Sequence, residues 1–104
     1  MKTVVASEMA PLRFTPAEGK TSLPYRAASG KIGWVRSLAE KDGVKFDLVI
    51  KDGLGREKFR RKDCGNPATR EYGELINLPT HIGEDLLVEV DNVRGEGAIN
   101  VALN

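Results

Sequence analysis

Cysteine and histidine are almost missing from this sequence, which holds Cys64 and His81 and no other residue of either kind. A single thiol builds no internal disulfide framework, and one Cys with one His offers no zinc-ligand spacing. Nucleophilic catalysis needs a nucleophile, a base and an orienting group. The one histidine, His81 in the loop Pro79 to Gly83, is with scattered serines a nearly empty signal for such a triad. It reads as a loop histidine exposed at a sandwich end or hydrogen-bonded to backbone. Cys64 reads as a small residue at a strand end, although Arg61 and Lys62 beside it would lower the pKa of an exposed thiol. Glycine-rich phosphate-binding patterns are absent. No apolar run approaches the roughly 18 residues that cross a bilayer. The opening stretch MKTVVASEMAPLRF breaks its apolar patch at Ser7 and Glu8, so it reads as no secretory signal. Aromatic residues are 6% of the chain and the net charge is +1, which argues against nucleic acid as the main partner. These shortages point to a protein that is not an enzyme, has no cofactor or metal, and works in a cytoplasm-like compartment.

What is present is a β pattern. Val44, Phe46, Leu48 and Ile50 alternate with Lys45, Asp47, Val49 and Lys51, as in a half-buried strand. Ile32 to Leu38, Arg56 to Lys62, Tyr72 to Leu78, Leu86 to Asp91 and Ile99 to Leu103 read as further strands. Turn signals separate them at Lys41-Asp42-Gly43, Asp52 to Gly55, Cys64 to Pro67 and Asn92 to Gly97. At most one helical turn fits, over residues 68–74. With 104 residues, the expectation is one all-β antiparallel sandwich, jelly-roll-like, over residues 31–104. Residues 1–30 are punctuated by Pro11, Pro16, Gly19, Pro24 and Gly30 and read as an extended arm. Prolines at this density exclude a helix and a central strand. Leu12, Phe14, Leu23 and Tyr25 would be left in water on a free arm, so the arm is expected to dock, on its own domain or on a neighbour. Trp34, on the alternation with Ile32 and Leu38, is expected in the core.

The segment KDGLGRE, residues 51–57, has the acid-glycine rhythm of a calcium loop. An EF-hand needs oxygen ligands at loop positions one, three, five and twelve, with glycine at six. Placing Gly53 at six puts Leu48, Ile50 and Phe59 at one, three and twelve, so the reading fails on ligand type. A hairpin turn explains the same residues, and a looser site using Asp47, Asp52 or Asp63 is a minor alternative. Charge is unevenly distributed. Residues 45–70 hold eight Lys or Arg against four acids, whereas 84–104 hold five acids against one Arg. On an ideal strand Arg56, Lys58, Arg60 and Lys62 share one face, which reads as a guarded edge or a salt-bridging protein contact.

Residues 44–103 resemble small jelly-roll sandwiches of the pre-peptidase C-terminal type. The shared outline is a strand ending in Asp52-Gly53, a link from Pro79 to Gly83, a valine-rich strand, and a glycine turn into the last strand. That resemblance implies a non-enzymatic accessory sandwich, in that family usually secreted and sometimes sugar- or protein-binding. The chain differs from it in lacking a secretion signal and in its proline-punctuated start. A compact sandwich with a docking arm is also similar in architecture to the small decoration, or cement, proteins of viral capsids. The leading expectation is therefore a structural protein that joins a larger assembly, such as a virion. Its contacts would be Leu12, Phe14, Leu23 and Tyr25 with the basic residues Arg56, Lys58, Arg60 and Lys62, and homo-oligomers are compatible with this. The alternative is a carbohydrate-binding sandwich with Trp34 or Tyr72 exposed as a stacking platform.

Overall fold

The computed structural model describes residues 11–65 and 74–104. Residues 1–10 and 66–73 lie outside this description, and with them Tyr72 and the helical turn considered for 68–74. Eight strands follow one another: β1 Leu12–Phe14, β2 Ser22–Arg26, β3 Lys31–Ala39, β4 Lys45–Lys51, β5 Glu57–Cys64, β6 Glu74–Pro79, β7 Asp85–Arg94 and β8 Ile99–Leu103, with one 3-10 turn at Pro16–Glu18. They form two antiparallel sheets, sheet I in the order β1-β8-β3-β6 and sheet II in the order β2-β7-β4-β5. Every connection crosses from one sheet to the other except β4 to β5. An eight-stranded double sheet of this connectivity is a jelly roll.

The core lies between the sheets, where the period-two pattern predicts it. Phe46, Leu48 and Ile50 of β4 face Ile32, Val35, Ile99 and Val101 of sheet I within one buried cluster, with Leu86, Val88 and Val90 of β7 beside them. Removing each such side chain from water contributes about 1.5–3 kcal/mol before ordering costs.

Of the first 30 residues, the described ones, 11–30, pack on the sandwich itself. β1 pairs with β8, placing Leu12 opposite Val101 and Phe14 opposite Ile99. β2 pairs with β7, placing Leu23 opposite Val88 and Tyr25 opposite Leu86. The two segments are edge strands of different sheets, which is where Pro24 is tolerated. A 3-10 turn opening on Pro16 and closing on Gly19, at φ 83°, carries the chain between sheets.

Trp34 departs from the expected face. The N–H groups of Gly33 and Trp34 both donate to the carbonyl of Asn104, at 2.7 and 3.1 Å. Two residues thus oppose one, which is a β-bulge and reverses the alternation. Ile32 and Val35 both point into the core cluster, while Trp34 and Leu38 belong neither to that cluster nor to the side chains packed against it. Both stand on the outer face of sheet I.

Candidate functional site

The connections β2–β3, β4–β5 and β6–β7 gather at one end of the sandwich. Thr80 N–H donates to Gly30 O at 2.9 Å and Gly83 N–H to Ala27 O at 2.8 Å. The Thr80 hydroxyl donates to Ser29 O at 2.7 Å. These bonds tie the first and third connections together. The second, residues 52–56, follows β4, whose Lys51 pairs with Leu87 at the start of β7.

Within residues 52–56 the acid that suggested a metal is spent on the turn itself. Asp52 Oδ1 accepts from the backbone N–H of Leu54 and of Arg56, each at 2.9 Å. Its Oδ2 accepts from Arg56 Nε at 2.9 Å. The Arg56 N–H, foremost among these donors, holds the Asp52 carboxyl below its ordinary range. Gly55 takes φ 84°, a conformation glycine adopts without strain. Of the other acids considered for a metal, Asp47 bonds Arg60 and Asp63 bonds Arg94. Among the described residues no group of three or more His, Cys, Asp or Glu side chains is placed to hold a metal ion.

The turn after β6 is built in the same way. Glu84 N–H donates to His81 O at 2.9 Å, and His81 N–H donates to the Glu84 carboxylate at 2.9 Å. The His81 N–H, more than any other group, lowers the Glu84 pKa, with Lys58 adding to it. Lys58 Nζ then clamps the end, donating to Pro79 O at 2.9 Å and lying 3.5 Å from Glu84 Oε2. Each carboxylate fixes the backbone of a turn and leaves the side chain at its tip projecting outward. Those side chains are Leu54 and Ile82, each 79% exposed. Two rigidly presented apolar groups at one end of a domain can insert into recesses on another surface. Around them Arg56 pairs with Asp52, Arg26 with Asp85 and Lys58 with Glu84.

The basic residues singled out in the sequence do not form a cationic stripe. Two irregularities in the β4–β5 register leave extra residues on β5, one between Phe59 and Glu57 and one between Cys64 and Arg61. The ideal alternation of Arg56, Lys58, Arg60 and Lys62 is broken as a result. Arg56 and Lys58 serve the two turns. Arg60 lies on the outer face of sheet II, bonded to Glu57, Asp47 and Asp91, and these partners, Glu57 first, raise its pKa. Lys62 is exposed and makes no ion pair among the described residues. Arg61 pairs with Glu74 and stands 5.6 Å from the Phe59 ring, so it links the β5 and β6 edges. The Cys64 thiol is buried beside Arg61 O at 3.5 Å.

The four apolar residues expected to anchor a partner are committed to the core. Phe14 has no exposed surface, and Leu12, Leu23 and Tyr25 pack against the core cluster while partly exposed. Burial raises the Tyr25 phenol pKa. Phe14 therefore has nothing to offer a second molecule, whereas Leu54 and Ile82 are the most exposed large apolar side chains among the described residues. Both were legible as apolar residues inside polar turns, Asp-Gly-Leu-Gly and His-Ile-Gly, a position where no core can receive them.

Comparison with family models, curated sequences and solved structures returned no match. No residue role is inherited, and function rests on the geometry of this chain.

Proposed function

We propose that this chain is a non-catalytic structural module that docks on a larger protein assembly, in the manner of a decoration protein on a capsid. The reading makes it cytoplasmic as synthesised and virion-associated once assembled. Its partner would be a neighbouring subunit or the capsid surface. The observation that carries it is the pair Leu54 and Ile82, held outward on turns whose backbone is fixed by Asp52 and Glu84. Burying each contributes about 1.5–3 kcal/mol, and rigid turns keep the ordering cost of docking low. The surrounding charges are already paired within the chain, which suits a protein surface of apolar recesses with a polar rim. The likeness to accessory sandwiches of the pre-peptidase C-terminal type supports the same non-enzymatic class by architecture alone.

The test uses gradient sedimentation of extracts from cells that make both the chain and its assembly. Wild-type protein travels with a particle, whereas the Leu54→Asp/Ile82→Asp variant stays at the top with an unchanged circular dichroism spectrum. Equal co-sedimentation of the variant overturns the reading.

A carbohydrate-binding module is the second reading, favoured by the position of Trp34 outside the core. It predicts that soluble oligosaccharides shift the Trp34 fluorescence and protect it from acrylamide. Unchanged emission across a panel of glucans, xylans and chitin fragments removes it.

A further inference from the structure

We infer that the occupant of the Leu54/Ile82 end is a second copy of this chain, joined head to tail through a groove at the far end of the sandwich. The inference rests on the docking reading of those two side chains and names their partner. The two turns that carry them abut, since a Cβ on Gly53 would lie 3.6 Å from the carbonyl oxygen of Asp85. Leu54 and Ile82 thus stand as a pair of prongs on neighbouring turns. β7 runs from this end, where Asp85 pairs with Arg26, to the other, where Arg94 pairs with Lys45. Its ten residues, at about 3.4 Å each, put about 30 Å between the two ends.

At the far end a groove of about 620 Å³ lies between the 3-10 turn and the last residues of β7. That volume is within the range of about 300–1,000 Å³ that receives small ligands, so both prong tips have room. Pro16 and Ala17 form one wall, Val90 and Val93 the other. Val90 is buried and Val93 packs against the core, so this wall is fixed before anything binds.

Charge selects the occupant. Asp91 and Glu96 are the charged residues of the groove, and no Lys or Arg lines it. Asp91 shares the Arg60 guanidinium with Asp47 and Glu57, three carboxylates on one cation. Glu96 is exposed and makes no ion pair among the described residues. The groove is therefore apolar in its walls and negative at its mouth. The prongs carry the opposite sign. Asp52 is only 14% exposed, its carboxylate turned to backbone N–H groups, whereas its partner Arg56 is 74% exposed. Beside Leu54 the surface thus presents the cation of that pair, placed to meet Glu96 of the next copy. Prongs and groove lie at different ends, so one molecule cannot satisfy itself. Two different patches in contact make a heterologous interface, in which each added copy leaves a free pair of prongs and a free groove. The product is an open string of copies.

Sedimentation equilibrium on the full chain from about 10 μM to about 1 mM tests this. The average mass is expected to climb from 11.4 kDa past twice that value. Leu54→Asp/Ile82→Asp and Ala17→Arg both replace exposed side chains, so each keeps the fold, checked by circular dichroism. The first removes the prongs, and the second fills the groove and offsets its charge. Each variant alone stays at 11.4 kDa. Mixed in equal amounts they form a one-to-one complex and nothing larger, because one keeps an intact groove and the other intact prongs. A constant wild-type mass overturns the inference, as does growth that stops at two copies or a mixture that stays monomeric. Co-sedimentation with a particle separates the two readings. A chain that is monomeric alone, yet travels with a particle through Leu54 and Ile82, leaves the docking reading standing and assigns the prongs to a foreign surface.

Discussion

The Arg60 guanidinium lies 2.9 Å from the carboxylate of Asp47, across the β4–β5 pair, and Asp47 is the one buried charged residue among those described. Asp47 also accepts the Asp63 N–H at 3.2 Å. Removing the cation strands a buried anion, whereas removing both members leaves only a polar rearrangement. Arg60→Ala is therefore expected to lower the urea midpoint clearly, and Asp47→Asn in that background to recover part of the loss. Chemical denaturation of the two variants checks this. A double variant no more stable than Arg60→Ala would show that Glu57 and Asp91, rather than Asp47, are the partners that matter.

Phe14 closes the core from a segment that the sequence pattern separates from the domain. Phe→Ala at a fully buried site costs about 3–5 kcal/mol, against a total of about 5–15 kcal/mol for a typical domain. Phe14→Ala should be marginally folded at room temperature. Deleting residues 1–26 removes an edge strand from each sheet and is expected to give a chain without cooperative thermal unfolding. A sharp melting transition in that truncation would return the segment to the status of a dispensable arm.

The fold class was legible because β4 and β7 alternate cleanly and the turns between strands carry Asp-Gly and Gly signals. Trp34 was placed on the wrong face because one bulge reverses parity, and its cause is long-range. The Asn104 carbonyl that accepts from both Gly33 and Trp34 lies 70 residues away. The placement of the basic run on one face failed for a similar reason, since neither its bulges nor its acid partners at Asp47, Glu84 and Asp91 can be seen from the run itself. β5 does form a charged, salt-bridged edge of sheet II. β1 and β2 look irregular in sequence because edge strands tolerate proline and need only one buried side chain in two. Leu54 and Ile82 were visible as apolar residues in turns. Their rigidity was not, because it depends on which backbone N–H groups the Asp52 and Glu84 carboxylates reach.

Gly55 and Gly95 share a left-handed conformation, at φ 84° and 92°, but differ in their surroundings. A Cβ on Gly55 would meet nothing within 4 Å, while one on Gly95 would lie 2.8 Å from the carbonyl of Gly43. Gly55→Ala should cost only the conformational penalty of about 1–2 kcal/mol. Gly95→Ala adds a backbone clash and is expected to cost distinctly more, with the β3–β4 and β7–β8 connections forced apart. Thermal denaturation of the two single variants ranks them, and equal losses would contradict the close approach at Gly43.

The acids that organise this domain make its stability fall at low pH. The Glu40 carboxyl is pulled down to about 2, first by the hydrogen bond from Arg13 and then by Asn100. Asp52, Glu57, Glu84 and Asp91 are lowered as well, by backbone N–H groups or by Arg60. In the unfolded chain these groups titrate near 4. A carboxyl whose pKa is depressed on folding stabilises the fold fully above its unfolded pKa. That stabilisation disappears as pH falls through the folded value. The melting temperature is thus expected to be level from pH 7 to about 5 and to drop steadily between about 4.5 and 2. Glu84→Gln keeps an oxygen for the His81 N–H but cannot ionise, so the drop becomes shallower from a lower plateau at pH 7. If the slope between pH 4.5 and 2 is unchanged in that variant, Glu84 is not ionised in the turn, and the clamp by Lys58 loses its electrostatic basis.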